Sequence, residues 1–282
     1  MESSNLYSKT RNEIRLNLFA TGKSGTIGKH LPNSIQPLSI DLSSPASIRN
    51  NSNFDSAIGL LHLAGVVGMG EVAKDIEHAY AVNVNGAMLL AKEFYNKTKG
   101  KFYYISTSHV YAPTSQKIVE EMKTEPSSIY AQQKLDSETL ISEIYANSPE
   151  RLCIIRVFSV LDWDVPAFTL GGAVKKLTQG DSDFELSNSD DQRDFLTPKS
   201  IAAAIYGIAS SGEINGIVNL CSGVGTSVRD AANRMLTESG YGIPIDRIKP
   251  GNSANPCVVG DNTKLVSALP DLNLEWQPSR IK

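Results

Sequence analysis

The chain has 282 residues and a net charge of −3, with 41% hydrophobic and 20% charged residues, a composition typical of a soluble globular protein with one large domain or two joined ones. This charge provides no basic field, so nucleic acid is not an expected partner, and no apolar run is long enough to cross a membrane. Three widely separated cysteines and the lack of a signal-peptide pattern predict a reduced, cytoplasmic protein without a metal site.

The first half of the chain alternates strand patterns with helix patterns. After a polar tail at residues 1–13, apolar runs of strand length lie at residues 16–20, 57–64, 101–106 and 152–158. Apolar residues at helical spacing predict helices at 79–95 and 129–145, and a further helix is predicted to begin near Thr26. This order predicts an α/β fold over residues 14–160: a Rossmann-like parallel sheet with helices on both faces.

The second half has a looser pattern from about Leu161. We predict helices at 171–177, 201–210 and 227–238, with a strand at 217–220. Residues 161–282 are therefore expected to form a smaller C-terminal substrate-binding lobe, with residues 195–222 returning to the Rossmann domain.

A glycine-rich turn follows the first predicted strand. Gly22, Gly25 and Gly28 are spaced three apart, and such a turn lets the backbone approach a dinucleotide pyrophosphate. The Gly22-Lys23-Ser24 segment could also end an NTPase phosphate loop. That motif requires glycine where Asn17 stands and a loop where a strand is predicted, so the NTPase interpretation is rejected.

A tyrosine and a lysine four residues apart, Tyr130 and Lys134, lie on one face of a predicted helix. The hydroxyl cluster Ser106-Thr107-Ser108 ends a predicted strand upstream, at the sheet edge where α/β folds bind ligands. A nearby ammonium is expected to lower the pKa of the tyrosine toward the working range. A surface Tyr-Lys pair and a capped turn would be the ordinary alternative, but the order of these segments favours a hydride-transfer enzyme.

Together these segments resemble the extended short-chain dehydrogenase/reductases, in particular the NAD-dependent epimerase/dehydratase family that acts on nucleotide sugars. The resemblance extends over residues 16–278. The segments that carry it are TGKSGTIG at 21–28, LHLAG at 61–65, NVNG at 83–86, ISTSHVY at 105–111, YAQQK at 130–134, RDF at 193–195 and VGD at 259–261.

The resemblance implies a role for each matched residue. It makes Thr107, Tyr130 and Lys134 catalytic, with Tyr130 and Lys134 also contacting the cofactor. It assigns substrate contacts to Ser108, His109 and Arg193. The remaining implied cofactor contacts are Gly22, Ser24, Gly25, Thr26, Ile27, Gly28, Asp41, Leu42, Leu63, Ala64 and Gly65.

Two departures from the family pattern bear on function. Only twelve residues separate Gly28 from Asp41, so the second strand is expected to be shortened or lost. Asp41 could contact either the adenine or the ribose, which leaves NAD and NADP both open, with NAD favoured. The family's 4,6-dehydratases have an Asp-Glu pair directly after the catalytic threonine. Ser108 and His109 stand there instead, which argues against elimination.

The function inferred at this stage is an NAD(P)-dependent nucleotide-sugar epimerase. A keto-sugar reductase that consumes NAD(P)H is the alternative, and a catalytically silent cofactor-binding or scaffold protein is an alternative of another class. The oligomeric state stays open, with a homodimer as one alternative.

Overall fold

The computed structural model describes residues 17–51, 54, 56–166, 169–179, 188–238, 240, 257–274 and 276, so the predicted tail lies outside it. Its strands are β1 (Leu18–Thr21), β2 (Gln36–Pro37), β3 (Gly59–His62), β4 (Lys101–Thr107), β5 (Leu152–Val157), β6 (Ser159–Val160), β7 (Gln192–Arg193), β8 (Phe195–Leu196), β9 (Gly216–Leu220), β10 (Thr226–Ser227) and β11 (Cys257–Val258).

The helices predicted at 129–145, 171–177, 201–210 and 227–238 are present, and the structure adds short helices that were not predicted. The described α-helices are α1 (Pro45–Asn51), α2 (Met69–Lys74), α3 (Ile76–Tyr80), α4 (Ala87–Lys97), α5 (Ile129–Ile144), α6 (Leu170–Thr178), α7 (Pro198–Ser211), α8 (Val228–Glu238) and α9 (Thr263–Ala268). None of them is long and apolar enough to cross a membrane.

A six-stranded sheet organises the molecule, in the order β2-β1-β3-β4-β5-β9, and every pairing in it is parallel. Its central strands are almost wholly buried because helices cover both faces. Along β4, Phe102 and Tyr104 pack on one face and Tyr103 and Ile105 on the other. This confirms the predicted Rossmann-like class, and it brings the carboxyl ends of the strands to one edge.

Each face of the sheet has its own apolar core. On one face, α7 packs with buried side chains of β1, β4 and β5. On the other, Leu90 and Phe94 of α4 and Ile141 of α5 contact the same strands. The helix predicted at 79–95 runs from α3 into α4 through a π-helical segment, Ala81–Gly86. Such segments widen one turn of a helix and are frequent at functional sites.

The helix predicted to begin near Thr26 was wrong. The structure has only a three-residue 3-10 helix, Gly28–His30. Its C-cap Leu31 is extended, with ψ of 146°, and it precedes Pro32, which disfavours the α-helical backbone for the residue before it. The second strand is shortened as expected, because β2 has two residues and both are exposed.

The second half of the chain builds a smaller layer beside the sheet. Two short sheets, β10-β7-β11 and β6-β8, lie next to α6 and α8. The tryptophans Trp163 and Trp276 pack into the core of this layer. β9 joins the main sheet beside β5, while the division of the chain at residue 160 stays a prediction.

Candidate active site

A cavity of about 480 Å³ opens at the carboxyl edge of the main sheet. The glycine turn, the ends of β3, β4 and β5, and the start of α5 all contribute to its wall. The predicted site residues that line it are Gly22, Ser24, Gly25, Thr26, Ile27, Gly28, Leu63, Ala64, Gly65, Thr107, Tyr130 and Lys134.

Sequence reasoning missed part of this wall. Ser106 belongs to the hydroxyl cluster noted in the sequence but was assigned no contact of its own, and Val157 could have been inferred from its position at a strand end. Residues after β6 had no such pattern, because only tertiary packing brings them to the cavity. The lining residues not predicted are Val67, Ile105, Ser106, Val157, Phe158, Val160, Val165, Pro166 and Thr169.

Two glycines of the turn, Gly22 and Gly28, are packed too closely for side chains. Gly22 has φ of +66°, and a Cβ there would lie 2.7 Å from the backbone nitrogen of Ala64. A Cβ on Gly28 would lie 2.1 Å from the Gly22 carbonyl oxygen. Lys23 donates from Nζ to the carbonyl oxygen of Pro32 at 3.0 Å, so it anchors the following loop. The backbone of the turn therefore forms the cavity wall.

His62, at the end of β3, helps to hold that wall. The Thr21 hydroxyl accepts a hydrogen bond from the Ala64 backbone N–H at 3.2 Å and lies 2.8 Å from His62 Nδ1. Burial lowers the pKa of His62 to about 3, with a smaller contribution from Lys134. The ring is therefore neutral at physiological pH.

Asn83 ties the loop after β3 to α5. Its Oδ1 accepts from the Val66 N–H at 2.8 Å, and its Nδ2 donates to the Val66 carbonyl at 3.0 Å and to Gln133 Oε1 at 3.0 Å. A Cβ on Gly65 would lie 2.8 Å from Asn83 Oδ1. The π-helical segment therefore places an amide where it fixes the backbone of the cavity wall.

The candidate catalytic side chains meet in the cavity. Lys134 donates from Nζ to the Ile105 carbonyl at 2.8 Å and lies 4.9 Å from the centroid of the Tyr104 ring. Because an ammonium has three donors, two remain for other partners. Thr107 ends β4, and its Oγ1 accepts from the His109 N–H at 3.3 Å. Tyr130 is half-buried at the start of α5.

The pKa of Tyr130 does not follow the expected direction. Burial raises it to about 12, because a phenolate is disfavoured away from water. Burial lowers the pKa of Lys134 to about 8, and Glu138 opposes that change. The proton therefore stays on Tyr130 at neutral pH, which suits a group that donates one.

The other predicted site residues lie outside the cavity lining. Asp41 is exposed, and its Oδ1 accepts from the backbone and hydroxyl of Ser43 at 2.9 and 2.6 Å. Leu42 is buried against the main chain of Gly86, where a Cβ would lie 2.3 Å from the Leu42 carbonyl oxygen. Ser108 is buried in the 3-10 helix that follows β4.

Arg193 and His109 are close enough to influence each other. His109 is exposed at its surface, but desolvation by the surrounding protein and then the positive charge of Arg193 lower the pKa of its imidazole. Arg193 donates from Nη2 to Asp191 Oδ2 at 2.8 Å and from Nη1 to the Gln192 carbonyl at 2.9 Å. Its side chain keeps 21% of its area exposed, so Arg193 is partly open to solvent.

Within the described residues, no group of three or more His, Cys, Asp or Glu side chains could hold a metal ion.

Comparison with known proteins identifies the family to which this chain belongs. A model of the NAD dependent epimerase/dehydratase family matches residues 27–221. The chain belongs to this family. Membership confirms the resemblance inferred from the sequence motifs and the class of enzyme that they indicate.

Two curated relatives match most of the chain. The GDP-6-deoxy-D-mannose reductase of Pseudomonas aeruginosa is 28% identical over 235 residues, which cover 76% of this chain and 77% of the relative. The GDP-6-deoxy-D-talose 4-dehydrogenase of Aggregatibacter actinomycetemcomitans is 23% identical over 272 residues, covering 90% and 91%.

Solved structures confirm the fold. The structure of RMD from Pseudomonas aeruginosa complexed with NADPH has a TM-score of 0.78 at 24% identity, covering 92% of this chain and 93% of that one. The Thermus thermophilus UDP-glucose 4-epimerase in complex with NAD has a TM-score of 0.74 at 17% identity, covering 92% and 94%.

Proposed function

We propose that this chain is an NAD(P)H-dependent reductase of a keto sugar carried on a nucleotide. The observation that supports this proposal is that the glycine turn lines the same cavity as Thr107, Tyr130 and Lys134. Both curated relatives are named for one net oxidation or reduction of a GDP-linked 6-deoxy sugar. We therefore favour the reductase over the epimerase that the sequence motifs first indicated.

The residues of the cavity fit a dinucleotide cofactor. The turn at Gly22, Gly25 and Gly28 presents backbone to a pyrophosphate, because Cβ atoms at Gly22 and Gly28 would collide with neighbouring main chain. Lys134 has donors left for the nicotinamide ribose after its bond to Ile105. Asp41, beyond the short β2, would contact the adenosine end. When bound, the reduced nicotinamide supplies the hydride.

The side chains in the cavity supply the proton. Tyr130 donates its hydroxyl proton to the carbonyl oxygen of the sugar as hydride adds to the carbonyl carbon, so that the ketone becomes a secondary alcohol. Thr107 Oγ1 donates a hydrogen bond to the same oxygen and orients it. The Lys134 ammonium stabilises the phenolate that remains on Tyr130 until solvent reprotonates it.

The nucleotide half of the substrate would lie toward Arg193 and His109. A planar guanidinium suits the oxygens of a diphosphate, and Arg193 is partly exposed. The names of the relatives suggest a GDP-linked 6-deoxyhexose with its ketone at C4. The residues after Thr107 argue against water elimination, since Ser108 and His109 provide no carboxylic acid there.

The proposal is tested with purified protein and GDP-linked 6-deoxyhexoses. We expect GDP-6-deoxy-D-talose or GDP-6-deoxy-D-mannose to be oxidised in the presence of NADP⁺ or NAD⁺, with reduced nicotinamide formed in proportion to sugar consumed. The 4-keto product should be reduced when the reaction is reversed. Tyr130→Phe should remove both activities, whereas Tyr80→Phe, at an exposed tyrosine of α3, should retain them.

Other outcomes identify the alternatives. Interconversion of UDP-glucose and its 4-epimer without net change in nicotinamide would assign the epimerase function instead. Cofactor binding with no turnover of either sugar class would assign a silent cofactor-binding protein.

A further inference from the structure

A buried ion pair lies directly behind the proposed catalytic residues. Glu138 of α5 and Arg156 of β5 are both 4% exposed. Arg156 donates from Nη2 to Glu138 Oε2 at 2.6 Å and from Nε to both carboxylate oxygens, at 3.1 and 3.2 Å. The guanidinium also lies over the Tyr111 ring, 4.6 Å from its centroid. The carboxylate is thereby held in one place.

This pair reaches the cavity through Ser106. The Ser106 hydroxyl donates to Glu138 Oε1, and Ser106 lines the cavity one residue before Thr107. Ser106 and Arg156 are register partners on neighbouring strands. The Glu138 carboxylate therefore joins the end of β4, the end of β5 and the middle of α5.

The same carboxylate acts on Lys134 from one helical turn away. Residues four apart lie on the same face of a helix, and Lys134 is bonded to Ile105, the neighbour of Ser106. Burial lowers the pKa of Lys134 to about 8, and the negative charge of Glu138 opposes that change. A buried ion pair is weak evidence of a contribution to stability, since the desolvation of its two charges offsets most of their attraction.

We propose that Glu138 is a positioning residue of the active site, which fixes the end of β4 through Ser106 and provides the negative charge facing Lys134. The inference deepens the proposed function and rests on it, because it assigns no chemistry of its own to Glu138.

Few other charged or titratable groups face Lys134 in the described part of the chain. His62 of β3 is neutral, Tyr104 of β4 lies beneath the ammonium, and Tyr130 precedes Lys134 on α5. Arg156 lies beyond Glu138. Replacing Glu138 by glutamine would leave two buried cations without an anion between them, so protonation of Lys134 should become less favourable.

The direct test is titration of Lys134 by NMR in protein labelled with ¹³C at lysine Cε, with the signal assigned by Lys134→Arg. We expect titration near pH 8 in the wild type and a shift to lower pH by about one unit or more in Glu138→Gln. Glu143→Gln, which removes an exposed carboxylate from the same helix, should leave the titration unchanged. Titration of Lys134 in Glu138→Gln at the wild-type pH would overturn the proposal.

A second pair of variants separates charge from hydrogen bonding. Ser106→Ala should lower kcat by roughly fivefold to tenfold, the effect of one lost hydrogen bond, while the Lys134 titration stays in place. If Glu138→Gln does not fold, the double variant Glu138→Gln with Arg156→Gln removes both charges. The Lys134 titration should then move in the same direction but by less, because the repulsion from Arg156 is lost as well. Failure of the double variant to fold would assign the pair to stability alone and overturn the proposal.

The NMR measurement needs no substrate, so it separates this inference from the proposed reaction. A wild type that reduces no keto sugar nucleotide would refute the function and leave the Lys134 titration to be judged by itself. A wild type that is active, with an alkaline limb of kcat that does not move in Glu138→Gln, would refute the positioning role alone.

Discussion

The turn at Gly22 can be tested by comparing two alanine substitutions that share one backbone strain. Gly22 has φ of +66° and Gly212, which ends α7, has φ of +69°. Alanine in this left-handed region costs roughly 1–2 kcal/mol at either position. A Cβ on Gly212 meets no heavy atom within 4 Å, whereas a Cβ on Gly22 would lie 2.7 Å from the Ala64 nitrogen.

The difference in free energy of unfolding between the two variants therefore measures the cost of the close contact at Gly22. Overpacking against main chain adds roughly 1–3 kcal/mol, so Gly22→Ala should lower the free energy of unfolding by roughly 2–5 kcal/mol and Gly212→Ala by roughly 1–2 kcal/mol. Relief of the contact would displace Ala64, which lines the cavity. We expect the affinity for NAD(P)H to fall at least about tenfold, equivalent to about 1.4 kcal/mol, in Gly22→Ala only.

Urea denaturation gives the stability difference, and nicotinamide fluorescence on titration gives the affinity of each folded variant. Equal losses of stability with unchanged affinity in both variants would refute the close packing of the turn on the end of β3.

Three further predictions concern single side chains. Tyr130→Phe should lower kcat by about 10²–10⁴-fold, with NAD(P)H affinity retained, because it removes the proton and keeps the ring; wild-type kcat would exclude this tyrosine, and Tyr80→Phe is the control. Arg193→Ala should raise the KM for the sugar nucleotide and leave cofactor affinity unchanged. The control is Arg229→Ala, at an arginine also paired with aspartate, which should leave the KM unchanged. A fall in cofactor affinity in Arg193→Ala, without a rise in KM, would contradict the assignment. His62 is held neutral with a pKa of about 3 against 6.5 in the unfolded chain, so the unfolded state binds more protons between these values and stability should fall as pH drops through that window. Unfolding followed from pH 7 to pH 4 should show a smaller loss in His62→Gln, and an equal loss would show that this ring is not responsible.

The strands and long helices could be predicted because the local spacing of apolar residues indicates which of their faces are buried. Residues 152–158 are apolar except for Arg156, as expected of a strand covered on both faces, and β5 lies there. The short length of the helix after the glycine turn could not be predicted from the glycine spacing alone, because Pro32 determines where this helix ends. The direction of the Tyr130 pKa was missed because burial is a tertiary property, and burial raises that pKa.

The residues of the cavity wall also divide into those that local sequence pattern predicts and those that only tertiary packing brings to the cavity. Residues at strand ends are placed by topology, so Thr107, Ala64 and Gly65 could be predicted. Val165, Pro166 and Thr169 reach the cavity from a segment with no regular pattern. Glu138 of α5 and Arg156 of β5, which form the buried ion pair, lie 18 residues apart in sequence. Neither residue belongs to a segment on which the family resemblance was based.

The three-residue helix behind the glycine turn also bears on how long a cofactor stays bound. In a long helix the aligned peptide dipoles place about half a positive charge at the N-terminus, and a pyrophosphate bound there is held by that field as well as by hydrogen bonds. The 3-10 helix Gly28–His30 has too few peptide units to build such a field. We therefore expect binding of the pyrophosphate to depend on hydrogen bonds from individual backbone N–H groups, and we expect the residence time of the dinucleotide to be short. A reductase must exchange its spent cofactor after every turnover, so rapid release would serve its cycle.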